Sequence, residues 1–236
     1  MCQFFSCIIT KDLKAHWSKR TMAHEDLLAE LKLEDKKLEE RDFVRIEISP
    51  KDVKKVSRNR DDWTFKVDEE RTLPNWYDEN VVKCQGACWK AWEESIAVNL
   101  AIDKEEKSGK DQLFFAYDSA KVEARDSAKV EAYGSATVVA YGSAKVEARD
   151  SVKVEAYGSA TVVAYDSVKV EARDSVKVEA RDSAKVEAYG SATVVAYDSA
   201  KVELKSDYVT VLCHGKIFVT EKAQVVRASV VKAAEA

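Results

Sequence analysis

Between Asp118 and Lys205 one eight-residue phrase recurs eleven times: DSAKVEAR, DSAKVEAY, GSATVVAY, GSAKVEAR, DSVKVEAY, GSATVVAY, DSVKVEAR, DSVKVEAR, DSAKVEAY, GSATVVAY and DSAKVELK. Counted from each Asp or Gly, positions three, five and seven are Ala or Val, then Val, then Ala, with Leu204 as the larger exception. Positions four, six and eight are Lys or Thr, Glu or Val, and Arg, Tyr or Lys. Apolar residues at every second position mark a strand with one buried face, whereas a helix would scatter them around its circumference. Asp-Ser or Gly-Ser then supplies the turn, since Asp and Ser bond locally to the backbone and Gly accepts positive φ.

One octet buries two small residues and a valine, too little to fold alone, so stability must come from stacking like neighbours. The expectation is a mainly β protein built on a parallel β-solenoid, its strands about 4.8 Å apart. Two octets per coil, making two opposed sheets, is the preferred geometry, because alanine at the inward positions lets sheets approach closely. A triangular coil of three octets would leave voids along its axis, against the close packing of interiors. The alternative stays open, since the octets group in threes ending in Arg, Tyr and Tyr, with one extra octet at 166–173.

Outward lysines and glutamates should form columns of one sign beside columns of the other, with Tyr and Arg stacked near the corners. The threonines of the SATVVAY octets are too scattered for an ice-binding array. Calcium-binding β-rolls need a glycine-rich nonapeptide that is absent. The segment 110–117, KDQLFFAY, has the octet's length with larger apolar residues and reads as a cap. After Ser206 the repeat dissolves, yet Val209, Val211, Ile217, Val219 and Val225 keep a strand-like alternation.

Composition divides the chain. All five tryptophans and both prolines precede residue 100, and eight of nine tyrosines follow from Tyr117. The expected domains are a small α+β head at 1–102, a linker and solenoid cap at 103–117, the repeats at 118–205, and irregular coils with a cap at 206–236. In the head, residues 3–9 read as a buried strand and His24–Leu33 as a helix with Leu27, Leu28 and Leu31 on one face. Val44, Ile46 and Ile48 alternate in a strand ended by Pro50, and a short helix is expected after it. Trp63, Phe65 and Val67 mark another strand. Asp78 to about Leu100 should be the longest helix, burying Val81, Cys84, Cys88, Trp92 and Ile96.

MCQFFS at the start, HEDLL at 24–28, DFVRIEISP at 42–50, WTFKVDEE at 63–70 and PNWYDE at 74–79 resemble a family of phage and prophage proteins. In that family a short domain of this pattern precedes octapeptide repeats. The resemblance covers roughly residues 1–80 and the repeat array. It implies a viral or mobile-element origin and an intracellular setting, and it carries no catalytic residue onto this chain.

Formal net charge is -4, and no segment is long and apolar enough for a membrane span or a secretory signal, so neither nucleic acid nor membrane is expected as a partner. Five cysteines without a secretory signal suit a reducing cytoplasm. Three chemical candidates arise in the head. Cys2, exposed by methionine removal, would pair a thiol nucleophile with its own α-amine as base. Cys2, Cys7, Cys84 and Cys88 would supply four thiolates to zinc, against the plainer reading of core cysteines. His24 and Glu25, with Asp26, would form an acid–base cluster, although carboxylates at a helix start are also what the helix dipole favours. The expected function is a non-catalytic interaction scaffold without a cofactor, binding a protein partner or itself through the solenoid's ends or faces. The alternatives are an N-terminal-Cys hydrolase or transferase, and a counter-defence protein that sequesters a host factor or nucleotide.

Overall fold

The computed structural model describes residues 5–34, 41–53, 56–68, 72–214 and 218–221, the last four by backbone alone. It divides into a unit ending at Leu100 and a unit beginning at Ala101.

The first unit holds a four-stranded antiparallel sheet of β1 (Phe5–Thr10), β2 (Ala15–His16), β3 (Phe43–Pro50) and β4 (Trp63–Val67), in the order β2-β1-β3-β4. Helix α1 (His24–Leu31) packs on β1, with Leu27 and Leu28 against Ile8 and Phe43. Helices α2 (Asn75–Asp78) and α3 (Val81–Asn99) follow, and α3 packs on β1 and β2. Strand β3 buries Val44, Ile46 and Ile48 by alternation, as expected. On α3, Cys84, Cys88, Trp92 and Ile96 are buried at helical spacing, but Val81 is exposed and Trp89 takes the inward place instead. The short helix expected after Pro50 falls partly on residues 54–55, outside the described residues; Lys51 to Val53 bend and turn, and a 3-10 turn at Arg60–Asp62 leads into β4.

The second unit is a parallel β-solenoid. Its two eight-stranded sheets take strands alternately: β5 (Leu100–Ile102), β7 (Leu113–Tyr117) and even-numbered octets in one, β6 (Glu105–Lys107) and odd-numbered octets in the other. The octets form β8 (Lys121–Ala124) through β18 (Lys201–Leu204), and β19 (Thr210–Cys213) and β20 (Phe218–Glu221) extend the two sheets. Register settles the coil. Val138 pairs with Val122 and Val154, sixteen residues to either side, so two octets complete one turn. The 103–117 segment, expected as linker and cap, carries β6 and β7 as true rungs of their sheets. Their sequences, EEK and LFFAY, lack the Ala-Val-Ala pattern of the octets.

Between the sheets, the inward Ala and Val of positions three, five and seven are buried from Ala120 to Val202. Position one is the corner. Asp118, Asp126, Asp150, Asp166, Asp174, Asp182 and Asp198 all take φ between 51° and 58°, and Gly134, Gly142, Gly158 and Gly190 take the same left-handed region. Among side chains with a Cβ, Asp and Asn tolerate that conformation best, which explains the Asp-or-Gly choice. The corner closes with hydrogen bonds such as Ala120 N–H to the Tyr117 carbonyl at 3.0 Å.

Asp and Ser do not bond locally, as the turn chemistry suggested, but along the solenoid axis. The Asp166 carboxylate accepts from the Asp150 N–H at 3.1 Å, and Asp182 accepts from Asp166 at 3.2 Å. The Ser183 hydroxyl donates to the Asp166 carbonyl at 2.8 Å. Corner groups that would otherwise need water are thereby used to tie coil to coil.

Candidate functional site

In the head, each candidate side chain follows from its element. His24 opens α1 and is buried, with one ring nitrogen 3.0 Å from the Ile46 carbonyl and the other 3.2 Å from the Asp68 carboxylate. Both nitrogens are thus committed to the sheet and to the end of β4. Glu25 is exposed, and Asp26 accepts from the Thr21 hydroxyl at 2.8 Å. The three consecutive residues therefore face different surroundings and do not converge on one reacting centre, a condition for acid–base work.

Strand β1 and helix α3 bring Cys7, Cys84 and Cys88 into one dry core beside Tyr77. Burial, with the neighbouring Cys88 thiol as a smaller contribution, pushes the Cys7 thiol well above its ordinary value. Burial likewise raises Cys84, and it raises the Tyr77 phenol. Thiols held in the neutral form are poor nucleophiles, because the thiolate is the attacking species. Among the described residues no group of three or more His, Cys, Asp or Glu is arranged to hold a metal ion. Cys2, the fourth proposed ligand and the proposed nucleophile, lies outside the described residues.

The solenoid offers an open surface. On the sheet of odd-numbered octets, position four runs Lys121, Thr137, Lys153, Lys169, Lys185, Lys201, and position six runs Glu123, Val139, Glu155, Glu171, Glu187, Glu203. Four successive Lys/Glu rungs, from Lys153 to Glu203, stand without interruption. The other sheet breaks its charge with Thr161/Val163 and Thr193/Val195, so no more than two such rungs adjoin.

The glutamates have partners at position eight of their own octet. Tyr157 donates to Glu155 at 3.1 Å, Arg149 to Glu147 at 2.6 Å and Arg181 to Glu179 at 2.7 Å. The Val octets remove that partner from Tyr141, Tyr165 and Tyr197. The ammoniums of Lys153, Lys169 and Lys185 make no ion pair or hydrogen bond among the described residues. Neighbouring ammoniums one strand spacing apart repel by about 1 kcal/mol in water before salt screening. At β6 the polarity reverses, and the first rungs neutralise one another: Lys121 pairs with Glu105 at 2.9 Å and Lys107 with Glu123 at 3.2 Å. These cations hold the Glu105 and Glu123 carboxyls below their usual range, with Arg125 the first contributor at Glu123.

The corners carry ladders of rings and guanidiniums. Tyr117 stacks on Tyr133 at 4.8 Å, Tyr141 on Tyr157 at 5.2 Å, and Tyr197 on His214 at 4.9 Å. Arg149 and Arg181 lie 4.4 and 5.9 Å from the Tyr165 ring, and Arg173 bridges Tyr157 and Tyr189 at 5.7 and 5.0 Å. Ring faces spent on each other stiffen the edge and are not free to stack on a ligand.

No helix among the described residues is long and apolar enough to cross a membrane. No protein-family model, curated protein or solved structure matches the chain.

Proposed function

We propose that this is a non-catalytic interaction scaffold of phage or mobile-element origin, working in the cytoplasm, that of the host where it is phage-encoded. The solenoid presents regularly spaced side chains to a protein partner, and the head adds an aperiodic surface. The carrying observation is a contrast in availability. His24, Cys7, Cys84 and Cys88 are buried and committed, whereas three consecutive solenoid lysines stand exposed and unpaired. Alternating columns of opposite sign favour a partner that also carries both signs, rather than the uniform charge of a nucleic acid backbone.

The reading is tested by partner capture with three forms: the natural chain, Lys153→Gln/Lys169→Gln/Lys185→Gln, and Cys2→Ser. Capture should fall in the triple variant and survive in Cys2→Ser. Loss of the biological effect in Cys2→Ser, with the triple variant fully active, would establish the N-terminal-nucleophile alternative instead.

A further inference from the structure

Lys153, Lys169 and Lys185, on successive rungs and without an ion pair among the described residues, ask for anions at their own spacing. Phosphates along a nucleic acid and carboxylates along an extended peptide do not repeat at one β-strand separation. The glutamate column of the same sheet does. We infer that the sheet of odd-numbered octets pairs face to face with the same sheet of a second copy, the two solenoid axes parallel and lysine column on glutamate column. The inference rests on the scaffold reading and names the partner of its exposed face.

Symmetry decides the orientation. A two-fold axis parallel to the solenoid axis exchanges the left and right columns, so position four of each copy meets position six of the other. Lys153 then faces Glu155 of the second copy, and the same holds at Lys169/Glu171, Lys185/Glu187 and Lys201/Glu203. A perpendicular axis in the interface plane would set lysine on lysine and glutamate on glutamate. Charge therefore selects the parallel pair and rejects the antiparallel one.

Two odd rungs set the register. Thr137/Val139 is uncharged, and in the in-register pair threonine meets valine. A slip of one rung would instead press Val139 or Thr137 against a lysine or glutamate. Glu105/Lys107 is reversed in sign, and in register it again matches itself. After a slip Glu105 would face Glu123. One alignment satisfies every rung from Glu105 to Glu203.

Sedimentation velocity over a range of concentration and salt tests the pairing. The natural chain should form dimers at low ionic strength that dissociate near 1 M salt, where the Debye length is about 3 Å. Lys153→Glu/Lys169→Glu/Lys185→Glu should raise the dissociation constant on the order of tenfold or more, as should Glu155→Lys/Glu171→Lys/Glu187→Lys. Mixed together, the two triple variants should recover a mixed dimer, since one face is then all acidic and the other all basic over those rungs. The six-fold exchange, carrying both triple sets in one chain, should restore self-pairing, and circular dichroism checks that each variant keeps its strands. A natural chain that is monomeric at every concentration, or triple variants that pair as it does, overturns the inference. A monomeric natural chain whose partner capture still depends on the lysine column overturns the self-pairing alone and leaves the scaffold reading standing.

Discussion

Val154 and Lys153 are adjacent in sequence and differ by half a strand period, and that half-period decides what each tolerates. Val154 is 1% exposed between two sheets of alanine and valine, whereas Lys153 points outward. Val154→Lys buries an ammonium with no partner and should cost about 3 to 5 kcal/mol, read as a fall in the denaturation midpoint. Lys153→Ala should change stability by less than about 0.5 kcal/mol. Equal effects would mean that the two faces are misassigned. At the corner, Asp166 combines a left-handed φ of 51° with a carboxylate bound to the coil before it. Asp166→Ala loses both advantages and should cost about 1 to 2 kcal/mol, while Asp166→Gly keeps the conformation and should cost less. In the head, Cys7, Cys84 and Cys88 are fully buried, and burial raises the Cys7 and Cys84 thiols. Alkylation should label the half-buried Cys213 before any of these three, with the three reacting only as the head unfolds. Early labelling of Cys88 would instead show a reactive thiol in the head.

A strand of this solenoid is exchangeable because it meets only its neighbours above and below. Removing 142–157 deletes one coil, joins two corners of the same kind, and should leave a cooperative solenoid one coil shorter. Removing four residues sets corners against strands and should unfold the array, which circular dichroism distinguishes at once. Alkali tests the corner ladders. Burial raises the phenols of Tyr117 and Tyr133, with neighbouring negative groups adding to it. A phenol held neutral in the folded state gives stability that is complete below about pH 10, the ordinary phenol value. That stability is lost as pH climbs from there toward the raised folded values. Ultraviolet titration should therefore show these phenolates appearing together with loss of strand signal; ionisation with the fold intact would contradict the stacking. The octet's alternation and small inward residues made the strands, the inward face and the two-sheet coil legible in the sequence. The axial bonding of Asp and Ser was not legible, because a local turn and a bond sixteen residues away use the same two residue types. The first coil was hidden for another reason, since Glu105 and Lys107 pair by backbone and charge without the Ala-Val-Ala signature. In the head, the Leu27 and Ile46 periodicities showed themselves, but the meeting of Cys7 with Cys88 depends on α3 crossing β1, which no local pattern encodes.

At the scale of the molecule, two periods compete: the chain repeats its variants every three octets, and the coil closes every two. An odd repeat on an even coil sends successive SATVVAY octets to opposite sheets, Val139 to one and Val163 to the other. Without the extra octet at 166–173, the third would return to the sheet of Val139. With it, Val195 joins the sheet of Val163, and the sheet of Val139 is left with four unbroken Lys/Glu rungs. The continuous face thus arises from parity rather than from any new residue. Deleting 166–173 should keep the fold, because both sheets bury the same Ala and Val positions. It should also break the face, leaving at most two adjacent Lys/Glu rungs on either sheet. Deleting 166–181 removes twice as much chain but a whole coil, so parity is preserved and three adjacent rungs remain. The smaller deletion should therefore weaken self-pairing on the order of tenfold more than the larger one, with both chains melting cooperatively. Sedimentation of the two deletions side by side reads the difference. If pairing declined simply with the number of residues removed, the column-on-column arrangement would be wrong.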